Sequence, residues 1–287
     1  MSWDWDDVRE GWARAERAVQ IPAGQPLVDM RPMRRFSPRR VRVPIAITGH
    51  SGSGKTTLYE ALTGRLASNS HATSKSQTVE KHRTYIRTAN GAVRAEAHVP
   101  PGQFSNQRRF ALDAMMEENR RYPAGVIHAV SWGFNTVWPD ELQGAADGIR
   151  TEGDPINLAT VTKRNRREEL KNFEDICERL KKAWNGRRDV WLIIAVAKCD
   201  LYWPQLDEVR DYYIPGSPGG DSDFAYLLRE LVDRVGTSNL KRVAVVPFSC
   251  RLDTYRFGLD VSTPPVMDSS QTSALVNHLL SVIGEVL

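Results

Sequence analysis

The feature that most constrains the fold is a glycine-rich stretch between an apolar segment and a segment with helical character. Residues 45–57 read Ile-Ala-Ile-Thr-Gly-His-Ser-Gly-Ser-Gly-Lys-Thr-Thr and contain the pattern G-x-x-x-x-G-K-[ST]. Its glycines let the backbone curl so that N–H groups point inward to a bound anion, while Lys55 offers a cation to the outer phosphates and Thr56 a hydroxyl to magnesium. The pattern predicts a phosphate-binding loop, with a plain Gly/Ser turn as the alternative. The residues expected around the phosphates are Gly49, His50, Ser51, Gly52, Ser53, Gly54, Lys55, Thr56 and Thr57.

The size and composition of the chain are those of a globular protein. With 287 residues and 41% hydrophobic residues, it can build one large α/β domain, or a smaller domain with an extension. Cys177, Cys199 and Cys250 lie far apart without metal-ligand spacing, which argues against a disulfide framework and a zinc site. No N-terminal stretch resembles a signal peptide, and the longest apolar run, residues 190–197, is too short to cross a bilayer. We therefore expect a cytoplasmic protein with no transmembrane segment.

Residues 1–40 combine an amphipathic helix with a linker rich in arginine and proline. Apolar residues follow the three-four spacing of one helical face. That face packs either on the same chain or on a partner, and both interpretations are open. The segment 31–42 carries six arginines in a chain of net charge +4, which suits contact with RNA, anionic lipid or an acidic protein, or else a solvated linker. The apolar residues of the helix are Trp5, Val8, Trp12, Ala15 and Val19.

The remainder, residues 41–287, alternates between strand-like and helix-like segments, which is typical of a layered α/β domain. Asn90-Gly91 separates two strand-like segments and predicts a hairpin, because both turn positions favour a positive φ. The stretch 133–163 is rich in Gly, Asp, Asn and Pro and is longer than a usual connection, so we interpret it as an inserted loop. The predicted strands cover 41–48, 82–88, 92–99, 125–132, 189–197 and 242–248, and the predicted helices 56–66, 104–122, 166–185, 223–235 and 272–286.

A second motif follows the apolar strand 190–196, where the chain reads Ala197-Lys198-Cys199-Asp200. It lies at the carboxyl end of a strand, where open α/β sheets bind ligands. It resembles the N/T-K-x-D guanine-recognition motif of the Ras-like GTPase superfamily. The carboxylate of Asp200 can accept from both guanine N1–H and the 2-amino group, which adenine does not offer, and the stem of Lys198 would cover the base. Ala197 departs from the family's Asn or Thr, and this loss predicts weaker guanine binding by about tenfold at most.

Two further segments resemble the same superfamily. Ser249-Cys250 ends the next strand and is similar to the S-A-x signature, in which a backbone N–H reaches the guanine 6-oxo group. The segment 75–78, Lys-Ser-Gln-Thr, is similar to the first switch of Era-like GTPases. The resemblance implies that Thr78 contacts magnesium and the γ-phosphate, with Thr73 as the fallback.

The second switch departs from the family pattern D-x-x-G. The chain reads Val99-Pro100-Pro101-Gly102-Gln103 at the end of the predicted hairpin. The resemblance implies that the Gly102 N–H contacts the γ-phosphate and that Gln103 orients the attacking water. Val99 stands where an aspartate would hold a magnesium-bound water, a loss that costs about 10–100-fold in metal affinity or activity. His98 does not replace it, because strand alternation directs His98 to the opposite face.

Together these motifs imply a Ras-like, P-loop NTPase G domain. The expected fold is a six-stranded, mainly parallel sheet with one antiparallel edge strand and helices on both faces. The expected ligands are GTP or GDP with Mg²⁺ held by Thr56 and Thr78, and the expected activity is slow GTP hydrolysis in a molecular switch. Lys55 would neutralise developing charge, and a protein activator, or else Arg108 or Arg109, would supply an arginine. Two other interpretations are open: a nucleotide-bound scaffold without useful turnover, and an ATPase in which the K-x-D residues are incidental.

Overall fold

The protein was analysed as a computed structural model, which describes residues 3–20, 43–65, 80–88, 91–100, 109–110, 112–113, 115 and 123–287. The strands are β1 (Val43–Gly49), β2 (Glu80–Thr88), β3 (Gly91–Val99), β4 (Gly125–Val130), β5 (Val190–Val196), β6 (Leu240–Pro247), β7 (Tyr255–Phe257) and β8 (Val261–Thr263). The longer helices are α1 (Trp5–Gln20), α2 (Lys55–Thr63), α3 (Pro139–Thr151), α4 (Leu158–Ala183), α5 (Leu206–Tyr213), α6 (Asp223–Val235) and α7 (Ser269–Val286). Two short 3₁₀ turns cover Cys199–Leu201 and Trp203–Gln205.

Six strands form one sheet in the order β2-β3-β1-β4-β5-β6. All neighbours pair in parallel except β2 and β3, which are antiparallel. The prediction of a mainly parallel six-stranded sheet with one antiparallel edge strand is therefore confirmed. The strand β5 is apolar along its whole length, and every one of its residues is buried, because helices cover both faces of the sheet there.

The sheet separates two hydrophobic cores. Successive residues of β5 point to opposite faces of the sheet and therefore into different cores. Ile193 packs with α2 and the C-terminal half of α7, whereas Ile194 packs with α1, α4 and α6. Helices on both faces are thus confirmed as predicted. The glycine-rich loop, residues 197–200 and Ser249 follow the carboxyl ends of β1, β5 and β6, so these three segments meet at one edge of the sheet.

Helix α1 packs on its own chain, along the edge strand β6 and helix α7. Its buried residues are Val8, Trp12, Ala15 and Val19, and Trp12 is fully buried. Arg242 on β6 donates from Nη1 to Asp7 Oδ2 at 2.7 Å. The apolar face of α1 was expected to pack either on the same chain or on a partner, and in the structure it packs on the same chain.

The segment 133–163 is not an inserted loop throughout, which corrects the sequence-based interpretation. It contains all of α3 and the start of α4, which begins at Leu158 and not at 166. Two of its Pro and Asn residues start helices: Pro139 is the first residue of α3, and Asn157 caps α4 in a reciprocal capping box with Thr160. The residues that start these two helices were therefore misinterpreted as loop residues on the basis of composition alone.

Candidate functional site

A cavity of about 320 Å³ opens at the carboxyl edge of the sheet. Parallel strands end at the same edge, so segments far apart in sequence meet there. The glycine-rich loop (residues 49–57), the Lys-Cys-Asp turn (residues 197–200) and the segment 248–251 all contribute to its wall. The predicted site residues that line it are Ser51, Gly52, Gly54, Lys55, Thr56, Thr57, Lys198, Asp200, Ser249 and Cys250.

The glycine-rich loop has the compact path that its glycines predict. Gly52 and Gly54 have φ of 70° and 97°, in the left-handed region. A Cβ at Gly49 would lie 2.3 Å from Ala129 O, and one at Gly52 would lie 2.2 Å from Thr136 O. The loop runs directly into α2 at Lys55, and its N-cap residue Gly54 makes no side-chain capping bond. The N-terminus of a nine-residue helix therefore faces the cavity, where its partial positive charge favours an anion.

The side chains of the loop arrange charge at this end of the cavity. Lys55 donates from Nζ to the carbonyl oxygens of Gly49 at 3.0 Å and His50 at 2.8 Å, which folds its ammonium over the loop. Thr56, in the first turn of α2, lines the cavity. Ser53 is fully buried, and Gly49, His50 and Ser53 are not among the lining residues. This end combines backbone N–H groups, a cation and a hydroxyl.

Lys198 joins the Lys-Cys-Asp turn to two other segments. Its Nζ donates to Gly52 O at 2.9 Å, Phe134 O at 2.6 Å and Thr136 Oγ1 at 3.1 Å. Its φ of 62° is unusual for a residue with a Cβ, a strain typical of functional sites. Burial lowers the pKa of the Lys198 ammonium from 10.5 to about 8.

Asp200 and Ser249 form a buried pair at the other end of the cavity. The ends of β5 and β6 are held together because the Cys199 N–H donates to Phe248 O at 3.2 Å. Ser249 Oγ donates to Asp200 Oδ1 at 2.5 Å, which fixes the orientation of a carboxylate that is only 2% exposed. Burial raises the pKa of Asp200, and the Ser249 hydrogen bond opposes that rise. The fixed carboxylate can accept a pair of N–H donors from a ligand.

A turn after β4, here called the β4 turn (residues 131–138), is one part of the site that the sequence analysis missed. It contacts the glycine-rich loop through three donors: Thr136 N–H to Gly52 O at 3.1 Å, Asn135 Nδ2 to Ser51 O at 3.2 Å, and Trp138 Nε1 to Ser51 Oγ at 3.3 Å. The sequence did carry a signal for this turn: Gly133 follows the predicted strand, and Asn135 and Thr136 come soon after it. Asn and Thr side chains often form hydrogen bonds with nearby backbone groups in turns.

A buried carboxylate on α4 holds the β4 turn in place. Glu169, 2% exposed, accepts from Ser131 N–H at 2.7 Å, Ser131 Oγ at 2.9 Å, Gly133 N–H at 3.3 Å and Tyr213 OH at 3.3 Å. Trp132 and Gly133, with φ of 52° and 82°, form the bend that these bonds stabilise. Burial raises the pKa of Glu169, and its donors oppose that rise.

The end of β3 places Val99 and Pro100 on the cavity wall. His98 lies on the other face, beside Glu96, with 3.2 Å between His98 Nε2 and Glu96 Oε1. Arg109 is exposed. The remaining predicted residues lie outside the described ranges: Thr73, the segment 75–78 with Thr78, Gly102, Gln103, Arg108, Asn90 and the arginine-rich segment 31–42.

A further part of the wall, not predicted from the sequence, comes from the start of the β7–β8 hairpin and the residues before it: Arg251, Asp253, Thr254, Tyr255 and Arg256. Arg251 pairs with Glu60 on α2 at 2.8 Å. No cluster of three or more His, Cys, Asp or Glu side chains suited to a metal occurs in the described part of the chain. None of its helices has the length and apolar composition that a membrane crossing requires.

Comparison with known proteins adds no assignment to this geometry. The sequence matches no protein-family model and no curated protein. The cavity itself combines a cationic region, where Lys55 and the N-terminus of α2 lie, with the buried carboxylate of Asp200.

Proposed function

We propose that this chain binds GTP or GDP with Mg²⁺ in the cavity and hydrolyses GTP slowly, as a molecular switch in a P-loop, Ras-like G domain. One observation carries the proposal: the glycine-rich loop and the buried Asp200–Ser249 pair line the same cavity. The first suits phosphates and the second suits the N–H pair of guanine, so a single ligand that spans both is a guanine nucleotide.

At the phosphate end, the chain supplies N–H groups and positive charge. The open N-terminus of α2 and the loop backbone would hold the β- and γ-phosphates, and Lys55 would move from the Gly49 and His50 carbonyls to a phosphate oxygen. The Thr56 hydroxyl would ligate Mg²⁺, and Thr78 is the proposed second protein ligand. The divalent ion supplies charge neutralisation between the phosphates.

At the base end, Asp200 would read guanine N1–H and the 2-amino group. Ser249 holds the carboxylate through Oδ1, and the Cys250 backbone N–H would donate to the 6-oxo group. The Lys198 stem would lie against the base while its ammonium keeps the glycine-rich loop and the β4 turn together. Adenine would meet this carboxylate with its ring N1 acceptor and no donor pair, which disfavours ATP.

Slow turnover follows from Val99. Its apolar side chain, 2% exposed, stands at the cavity wall where a carboxylate would hold a magnesium-bound water. Gln103 is the proposed group that orients the attacking water. The same observation supports a second candidate function, a scaffold that binds the nucleotide without useful turnover, and the two differ only in the rate of hydrolysis.

The first experiment identifies the ligand. Purified protein is denatured, the released nucleotide is identified, and dissociation constants and turnover are then measured for GTP, GDP and ATP with Lys55→Ala and Gln103→Ala as comparisons. Guanine nucleotide in the released fraction and GTP turnover above the Lys55→Ala background support the switch. GTP bound tightly without such turnover supports the scaffold, and ATP turnover that exceeds GTP turnover refutes both.

A second experiment tests the base end. Asp200→Asn should shift preference from guanine to xanthine nucleotides, because an amide matches the 2-oxo group and N1–H of xanthine. Asp260→Asn, an exposed carboxylate outside the cavity wall, is the control and should leave selectivity unchanged. Unaltered guanine preference in Asp200→Asn would contradict the role of Asp200.

A further inference from the structure

We infer that Asn135 is a positioning residue for the glycine-rich loop and supplies a side-chain hydrogen bond to that loop, which the alanine at position 197 cannot make. The inference rests on the proposed function and adds to it the group that orients the phosphate-binding backbone. It concerns a side chain that lies 62 residues before Ala197 in the chain and belongs to the β4 turn.

Position 197 faces the loop but gives it no hydrogen bond from its side chain. A Cβ on Gly54 would lie 3.7 Å from the Ala197 methyl, so the residue at 197 points at the loop. Ala197 lines the cavity and is 2% exposed. An amide side chain there would reach loop carbonyls or N–H groups, whereas the methyl makes only van der Waals contact.

The β4 turn supplies the missing donor. Asn135 Nδ2 donates to Ser51 O at 3.2 Å, and the adjacent Thr136 N–H donates to Gly52 O at 3.1 Å. A trans peptide places its C=O and N–H on opposite sides of one plane. Capture of Ser51 O by Asn135 therefore directs the Gly52 N–H to the other side of that peptide, and Gly52 lines the cavity.

The surroundings of Asn135 indicate that this donor is its main contribution. The residue is 2% exposed, and its Oδ1 is buried without a hydrogen-bond partner in the described structure. An unpaired buried acceptor destabilises a fold, so an apolar residue of similar size would suit packing better. The amide is instead suited to holding Ser51 O, in agreement with a positioning role.

The test is a double-mutant cycle with Asn135→Ala and Ala197→Asn. We expect Asn135→Ala to weaken GDP binding about tenfold, the effect of one lost hydrogen bond at its upper range. Ala197→Asn should restore most of that affinity in the Asn135→Ala background and add little to the wild-type chain, because either amide suffices. Asn135→Asp, of the same shape without the donor, should weaken binding at least as much as Asn135→Ala.

A second readout does not depend on nucleotide. Amide hydrogen exchange of residues 50–54 in the ligand-free protein should speed up in Asn135→Ala and slow again in the double variant. Equal effects of Ala197→Asn in both backgrounds, or unchanged exchange and GDP affinity in Asn135→Ala, would overturn the inference. Absence of GDP binding by the wild-type chain would refute the proposed function and leave the exchange experiment to decide the loop contact.

Discussion

The role of Glu169 in holding the β4 turn can be tested by two substitutions of different severity. Glu169→Ala removes every acceptor and leaves the Ser131 and Gly133 N–H groups without a partner in the interior. At about 1–3 kcal/mol for each unpaired buried donor, the free energy of unfolding should fall by about 2–6 kcal/mol. Glu169→Gln keeps an acceptor for Ser131 but turns an N–H toward Gly133, and it should cost about 1–3 kcal/mol.

The pH dependence of this difference has a definite sign. Burial raises the pKa of Glu169 above its ordinary value of 4.5, so the folded chain binds this proton more tightly than the unfolded chain. The stability that Glu169 contributes is therefore fully present below its unfolded pKa and declines as pH rises through the folded pKa. Glutamine does not titrate, so the cost of Glu169→Gln should be larger at pH 5 than at pH 8.

The assay is urea unfolding followed by tryptophan fluorescence at both pH values. Glu174→Gln, an exposed glutamate on the same helix, is the control and should change stability by less than about 0.5 kcal/mol. A loss below 1 kcal/mol for Glu169→Ala would refute the assignment, since it would mean that the carboxylate does not hold the turn. A cost of Glu169→Gln that grows with pH would refute the direction given for the pKa.

Three further predictions follow from the same geometry. Burial lowers the pKa of Lys198 to about 8, so its ammonium loses its proton above that pH. The GDP dissociation constant, measured by fluorescence titration, should therefore rise by up to tenfold per pH unit above pH 8. The Lys198→Met variant should show no such pH dependence. Trp12→Ala should lower the free energy of unfolding by about 3–5 kcal/mol in urea denaturation, because the ring is fully buried between α1 and the sheet. Val99→Asp should raise the single-turnover rate of GTP hydrolysis by about 10–100-fold over Val99→Asn, and equal rates would contradict the explanation of slow turnover.

The sheet could be predicted because its signals are local. The strand β5 is a continuous apolar run, residues 190–196, because both of its faces are buried. The glycine-rich loop could be predicted because its motif is local, although one reason for glycine at Gly52 is long-range, since a Cβ there would lie 2.2 Å from Thr136 O. Asp200 and Ser249 could be placed at one site in advance because both follow strands that end at one edge, whereas their mutual hydrogen bond was not predicted.

The β4 turn and Glu169 could not be predicted because their signals are long-range. Glu169 lies on the predicted helix 166–185, and its partners Ser131 and Gly133 lie more than thirty residues earlier. A buried glutamate has no periodicity that distinguishes it from an exposed one. The segment 133–163 failed for a related reason, since the capping residues of α3 and α4 have the same composition as a loop.

The two departures from the family pattern differ in what surrounds them, and on the proposed function this difference separates binding from hydrolysis. Ala197 leaves a loop that Asn135, Thr136 and Lys198 already hold by hydrogen bonds, so its effect on affinity is small. Among the described residues, Val99 has Pro100 beside it on its stretch of the cavity wall, and neither of these two side chains can hold a water. His98, the nearest titratable group along the strand, is engaged with Glu96 on the other face. On the proposed function, a chain built in this way should hold its nucleotide well and cleave it poorly.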